Sequence, residues 1–165
     1  MTYSELYECT EYIALDIETT GLDYQNDRII EIAAIKYVNE YIVDEYVTLV
    51  NPGCFLQPVI TKITGITDKM LVSAPHIDDI IDEFIAFLGS SPLVMHNAEF
   101  DMGFIGRVCK ERGISITNPV IDTLILFREL LPGLENYKLA TIKEKLGIHS
   151  DTLHRAKADA YVCGE

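Results

Sequence analysis

Between Tyr12 and Glu18 the chain reads Tyr-Ile-Ala-Leu-Asp-Ile-Glu, and two acids stand where a core should be. The flanking residues are those of a buried strand. Side chains at i and i+2 of a strand share a face, so Asp16 and Glu18 point the same way. Two like charges at that spacing repel, and each loses its hydration on burial. A fold that keeps them must bring something positive to them, and a divalent cation is the simplest candidate. The plainer alternative is an edge strand with both acids in water. Isoleucine and leucine at the alternate positions weigh against it.

A chain of 165 residues is the size of one domain. With 48% hydrophobic residues and a mean hydropathy of +0.16, it carries enough apolar surface for a sizeable core. Residues 1–10 read as an N-terminal extension and 11–165 as the domain proper. The start, Met1 to Glu11, is polar and acidic, unlike a signal peptide, and no apolar run is as long as a membrane span. The expectation is a cytoplasmic protein. Cys9, Cys54, Cys109 and Cys163 are scattered without a Cys-x-x-Cys pair, which argues against a zinc knuckle and a secreted disulfide scaffold.

The net charge of −13 speaks at face value against nucleic acid. An enzyme can still bind nucleic acid through metal ions and a local basic patch while the rest of its surface is acidic. Lys138, Lys143, Lys145, Arg155 and Lys157, five of the thirteen basic residues, fall within one late stretch. Ordinary solvated helix faces explain them equally well.

Three strand-like runs come first, at about 12–18, 28–38 and 40–50, with a hairpin break near Asn39-Glu40. Asn51-Pro52-Gly53 closes the third, and a long loop containing Ile63 to Thr67 is expected to follow. Pro75 opens a helix to about Leu88, with Ile77, Ile80, Ile81, Phe84, Ile85 and Leu88 at helical spacing. Leu93–Met95 reads as a short buried strand, and a helix follows from about Ala98 to Arg112. Val120-Ile121 is another short strand, followed by a helix that Asp122 could cap. Lys138–Leu146 is helical up to Gly147, and a last helix starts near Arg155. Three strands in a meander followed by alternating helix and strand predict an α/β fold: a mixed sheet with helices on its faces.

Further acids fall where apolar residues are expected. Asp101, Phe104, Ile105 and Val108 follow i, i+3, i+4, i+7, which puts Asp101 on the apolar face of its helix, in the first turn. An acid favoured there by the helix dipole usually sits on the wet face. Ala156, Asp159, Ala160 and Cys163 form a stripe of small residues, so this helix can approach the sheet closely and deliver a carboxylate to its centre. His154, five residues before Asp159, would diverge from it on a continuous helix and is expected at the helix entrance instead. Histidine suits general-base work near neutral pH. Oxygen-only ligands suit Mg²⁺ or Mn²⁺, and two such ions can hold the attacking and leaving oxygens of a phosphoryl displacement.

Asp16-Ile17-Glu18-Thr19-Thr20-Gly21, His96-Asn97-Ala98-Glu99-Phe100-Asp101 and His154-Arg155-Ala156-Lys157-Ala158-Asp159 together resemble the three motifs of the DEDDh family of 3′→5′ exonucleases. Arg28 to Ala34, Asn51-Pro52-Gly53, Ile63 to Asp68 and Asp122-Thr123-Leu124 are similar to the proofreading exonucleases of bacterial DNA polymerase III. The likeness covers roughly residues 10–163. It implies an RNase H-like five-stranded sheet, its first three strands an antiparallel meander and its last two parallel, with helices on both faces. It also implies two divalent cations. On the matching positions, Asp16 would bridge both ions and Glu18 and Asp159 would hold the one nearer the attacking water. Asp101 would support the second ion, and His154 would be the general base. The family variant that uses tyrosine needs it at position 155, which is arginine here. Thr19, Thr20, Gly21 and Leu22 would cradle the terminal nucleotide, Ile63, Thr64 and Ile66 would flank it, and His96, Asn97 and Phe100 would lie close to the strand. For Leu22, Ile66 and Phe100, buried packing is an equal alternative.

The resemblance implies release of nucleoside 5′-monophosphates from the 3′ end of single-stranded or frayed DNA, in proofreading or repair. A DNA polymerase subunit is the implied partner. The chain stops at Glu165, without the further segment by which the epsilon subunit docks on its polymerase, so a domain shortened at its C-terminus is expected. The same chemistry on RNA is one alternative, because no motif reads the 2′-hydroxyl. A catalytically silent nucleic-acid-binding module is another, and the presence of all five site residues weighs against it.

Overall fold

Alternation along the first strand decides the layout. The computed structural model describes residues 10–149 and 154–165. In it, strand β1 (Glu11–Thr19) sends Ile13, Leu15 and Ile17 into the main core on one side of the sheet and Ala14 into a second cluster on the other. Asp16 and Glu18 share the side of Ala14, by the two-residue period of the strand.

Strand β2 (Ile29–Val38) pairs antiparallel with β1 from Glu11↔Val38 to Thr19↔Ile29, and β3 (Tyr41–Leu49) pairs antiparallel with β2. The β2–β3 connection is the expected two-residue hairpin. Asn39 and Glu40 both have positive φ, 49° and 68°, the conformation in which a tight turn follows the right-handed twist of its strands. Strands β4 (Leu93–Met95) and β5 (Val120–Asp122) add in parallel, giving the order β3-β2-β1-β4-β5. This is the mixed five-stranded sheet predicted above.

The segment expected to be a long loop is instead partly helical, as α1 (Pro58–Thr64) and α2 (Asp68–Leu71). Proline at the first position of α1 sacrifices no intrahelical bond, and Gly65 ends it at φ 72°. The β-branched Val-Ile-Thr-Lys-Ile-Thr run carries little helix propensity, so tertiary packing decides. Ile30, Leu56, Ile66 and Leu71 form a small core under this segment.

Helices α3 (Ile77–Leu88) and α4 (Ala98–Glu111) cover the Ile13–Leu15–Ile17 side. Ile80, Ile81, Phe84 and Leu88 from α3 meet Phe104, Ile105 and Val108 from α4 in the main core. Helix α5 (Thr123–Leu130) follows β5 directly and α6 (Leu139–Leu146) follows a turn region. Helix α7 (Ala156–Gly164) lies on the other side of the sheet, where Ala156, Ala160 and Cys163 pack with Ala14, Ala33 and Ile35. Alanine on both surfaces brings α7 close to the sheet. At its far end a side chain on Gly164 would meet the Tyr37 ring at 2.5 Å. The Tyr12 hydroxyl donates to the Gly164 carbonyl at 2.9 Å, so α7 is held there also. Among the described residues, no helix is long and apolar enough to cross a membrane. The N-terminal extension lies outside the described residues except for Thr10.

Candidate active site

The sheet opens where β1 outruns β4. Their pairing is confined to Ile13↔Leu93 and Ala14↔Val94, which leaves the β1 backbone beyond Ala14 in need of partners on that side. Asp101, in the first turn of α4, supplies one: its Oδ1 accepts from the Ile17 amide at 3.1 Å. The expectation that Asp101 faces the core holds, since it is only 3% exposed.

From the other side of the sheet, α7 delivers Asp159. One carboxylate oxygen from each of Asp16, Glu18 and Asp159 lies within 4.8 Å of the others. Asp159 Oδ2 accepts from the His154 amide at 3.0 Å, whereas its Oδ1 is buried with no hydrogen-bond partner. His154 is exposed, with φ 66°, immediately before the N-cap of α7. That is the helix entrance expected for it.

The electrostatics follow from this crowding. Burial, followed by the charges of Asp101, Asp159, Glu18 and Glu31, pushes the Asp16 carboxyl well above the usual range. Burial, followed by Asp159 and Glu31, raises Glu18 to about 7, with Arg155 working against the rise. Burial raises Asp101 to about 8, although the Ile17 amide holds it down. Asp159 is raised by burial as well, opposed by His154 and Lys143. At neutral pH such a group of acids is short of positive charge.

These residues fit a hard divalent cation. The donors are all oxygens, one of them buried and unpartnered, and opposite ligands of such an ion stand about 4–5 Å apart. Asp101 stands outside this trio, next to it along β1.

The candidate nucleotide contacts divide into two groups. Leu22 and Ile63 are 84% and 50% exposed and offer apolar surface to solvent. Asn97 is exposed also, and Phe100 is half-buried against Phe104, with ring centroids 5.1 Å apart. The rest shape the loops. Thr19 Oγ1 donates to the Gly21 carbonyl at 2.6 Å, and Thr20 Oγ1 donates to Asp27 at 3.1 Å. Gly21 is needed for closeness, because a Cβ there would lie 2.4 Å from Asp27 Oδ2. Thr64 is buried and its hydroxyl donates to the Ile60 carbonyl at 3.0 Å.

Two of these positions are engaged within the fold, Ile66 in the buried packing that was its alternative. Ile66 has no exposed surface, because it fills the small core with Ile30, Leu56 and Leu71. His96 has both ring nitrogens engaged, 2.9 Å from Thr123 Oγ1 and 2.9 Å from the Tyr137 carbonyl. The bond to a carbonyl requires the proton on Nε2, which leaves Nδ1 to accept from Thr123. His96 thus ties the turn before α6 to the start of α4, and no ring nitrogen is left for a nucleotide.

Two further acids were not among the candidate site residues. Asp122 was expected to cap α5, and it does, accepting from the Leu124 amide at 2.9 Å. It also accepts from the Asn97 and Ala98 amides, both at 3.0 Å, and so caps α4, the helix that carries Asp101. Glu31, 2% exposed on β2, stands opposite Glu18 in the register. It accepts from Arg155 Nε at 3.0 Å and from the Ala156 amide at 2.9 Å. The signal was present: Glu31 is an acid within the apolar run Ile29–Ile35, as anomalous as Asp16 in β1.

The sequence profile of the family described as Exonuclease matches residues 13–165. The chain is 43% identical over 155 residues to the DNA polymerase III PolC-type protein of Clostridium perfringens, a match covering 94% of the chain and 11% of that protein. It is 38% identical over 155 residues to DNA polymerase III subunit epsilon of Aquifex aeolicus, covering 93% of the chain and 77% of that subunit. The chain therefore spans a small part of its PolC-type relatives and most of the epsilon subunit. Among solved structures, it resembles Exonuclease X in complex with 5′ overhanging duplex DNA, with TM-score 0.74, 29% identity and coverage of 93% and 86% of the two chains. It also resembles the zinc-bound E. coli ExoI–ssDNA complex, with TM-score 0.82, 20% identity and coverage of 94% and 39%. The second likeness concerns the fold alone, an RNase H-like exonuclease sheet.

Proposed function

The chain belongs to the Exonuclease family, and from that premise we propose that it is a metal-dependent 3′→5′ exonuclease of the DEDDh type. It hydrolyses the terminal phosphodiester of single-stranded or frayed DNA and releases nucleoside 5′-monophosphates. The observation that carries this reading is the Asp16–Glu18–Asp159 trio, within 4.8 Å, with an unpartnered buried oxygen on Asp159. DNA is favoured over RNA because the relatives are DNA polymerase III proteins and a structural neighbour was solved with DNA. By the same likeness, the chain works beside a polymerase, correcting its 3′ ends.

In this mechanism Asp16, Glu18 and Asp159 would hold one Mg²⁺ or Mn²⁺, and Asp101 with Asp16 would support a second. When bound, the ions supply charge for both oxygens of an in-line displacement at phosphorus. His154 takes a proton from the attacking water as its oxygen bonds to phosphorus and the bond to the 3′ oxygen breaks. Leu22 and Ile63 press on the terminal nucleotide from the rim, and the Thr19–Leu22 and Asn97–Phe100 turns border it.

The test is product analysis on 3′- and 5′-labelled single-stranded DNA and matched RNA, with Mg²⁺ and with Mn²⁺. The expected result is stepwise loss of 5′-monophosphates from the 3′ end, faster on DNA. Asp16→Ala should abolish the release while circular dichroism shows the fold intact. Cleavage retained by Asp16→Ala, or attack from the 5′ end, would overturn the assignment.

A further inference from the structure

Helix α7 brings both Asp159 and the His154 backbone to the sheet, yet its inward stripe consists of alanines and a cysteine. Small side chains permit close approach but define the position along the sheet weakly, because they interlock little. Something else must fix where its first turn stops.

Glu31 has the geometry for it. Its side chain is buried on the face of β2 that meets α7, and its strand is paired on both edges, with β1 and β3. It receives the Ala156 amide at 2.9 Å and the Arg155 guanidinium through Nε at 3.0 Å and through a terminal nitrogen as well. Forked contacts of this kind set direction as well as distance. The clamp grips Arg155, immediately after His154, and Ala156, so it lies four and three residues before Asp159. In the β1–β2 register Glu31 faces Glu18 directly, so it ties the helix to the strand pair that carries the other acids.

We infer that Glu31 is a positioning residue. Acting through Arg155 and the Ala156 amide, it sets the first turn of α7 so that Asp159 meets Asp16 and Glu18. This rests on the exonuclease reading for its catalytic consequence, but the clamp itself does not. A negative charge beside three other carboxylates works against their ionisation, as the rise it causes at Glu18 and Asp16 shows. A buried acid retained there despite that repulsion has a geometric role, and the effect of changing its length separates position from charge.

Glu31→Asp keeps the charge and withdraws the carboxylate by one methylene. Arg155→Lys keeps the cation and removes the fork. Three readouts apply to both variants and the wild type. Amide hydrogen exchange at Ala156 and the following turn should accelerate at least tenfold in Glu31→Asp. Mn²⁺ affinity, measured by calorimetry without substrate, should fall about tenfold. On single-stranded DNA, kcat should fall at least tenfold with KM unchanged, and Arg155→Lys should shift all three in the same direction by less. Glu31→Asp with wild-type exchange and Mn²⁺ affinity would overturn the inference, whatever its activity. So would an equal acceleration of exchange across the whole sheet, the mark of general destabilisation. If the wild-type chain cleaves nothing, the exonuclease reading fails, while exchange and Mn²⁺ binding still decide the clamp.

Discussion

Replacing Glu18 with glutamine should make the metal-free protein less sensitive to rising pH. The Glu18 carboxyl is raised from 4.5 to about 7 in the folded chain. The unfolded chain therefore loses this proton first, and the folded state is at its best below about pH 4.5. Stability then declines as the pH passes through about 7 and the folded protein must accept the charge. At about 1.4 kcal/mol for each pH unit, Glu18 alone accounts for roughly 3 kcal/mol of lost stability by pH 8. Asp16 and Asp101 are raised too, so the wild-type loss is larger, though tightly coupled acids do not add. A divalent cation reverses the balance by favouring the ionised forms, and at 100 times its Kd it adds about 2.7 kcal/mol. The assay is urea unfolding at pH 5 and pH 8, with chelator and with Mn²⁺. With chelator, the fall between the two pH values should be smaller in Glu18→Gln than in wild type by a few kcal/mol. With Mn²⁺ the order should reverse at pH 8, because the variant has lost a ligand. A wild-type protein with the same pH dependence as Glu18→Gln in chelator would refute the electrostatic argument.

His154→Ala should lower kcat and remove the acid limb of the pH–rate profile; an unchanged limb would refute the general-base role. Asp122→Ala leaves the Asn97, Ala98 and Leu124 amides without their acceptor. The expected cost is about 1–2 kcal/mol for each lost cap, read as a lower urea midpoint, with Mn²⁺ affinity reduced because α4 carries Asp101. Leu22→Ala should raise KM for single-stranded DNA several-fold with little change in stability, since the side chain is 84% exposed. A Leu22→Ala protein that unfolds in less urea, with KM unchanged, would show that this residue packs rather than binds.

The sheet and the acid trio were legible because each announces itself locally. A buried strand declares its faces by alternation, and an acid out of that alternation is visible without any partner. Counting Asp101 beside that trio, four acids came from three segments, and each segment broke its own pattern: Asp16 and Glu18 in a strand, Asp101 on an apolar helix face, Asp159 in a small-residue stripe. Helices α1 and α2 were not legible, because the first is a short β-branched run and the second a single turn, and neither has a period long enough to read. Ile66 and His96 illustrate a different limit. A motif shows that a residue is near a site, but not which way it faces. Ile66 turns into the small core beneath the site, and His96 spends both nitrogens on Thr123 and Tyr137.

Glu31 and Asp122 belong to a different category, and together they explain how the site is assembled. Only Asp16 and Glu18 are fixed by the sheet itself. The other two acids arrive on helix first turns, where backbone amides lack partners of their own. In both cases an acid from a strand meets those amides: Asp122 at the end of β5 for α4, and Glu31 in β2 for α7. A carboxylate suits this task because it accepts several amides at once and is attracted by the helix N-terminus. The consequence is a site whose anchors are themselves acids, like the residues proposed to bind metal. Each anchor that secures geometry also deepens the shortage of positive charge, as the influence of Glu31 on Glu18 and of Asp122 on Asp101 indicates. Precision and repulsion therefore grow together in this arrangement. On the proposed mechanism, cations that relieve the repulsion would be bound by the same geometry that created it, which makes metal affinity, rather than activity alone, the sensitive measure of both anchors.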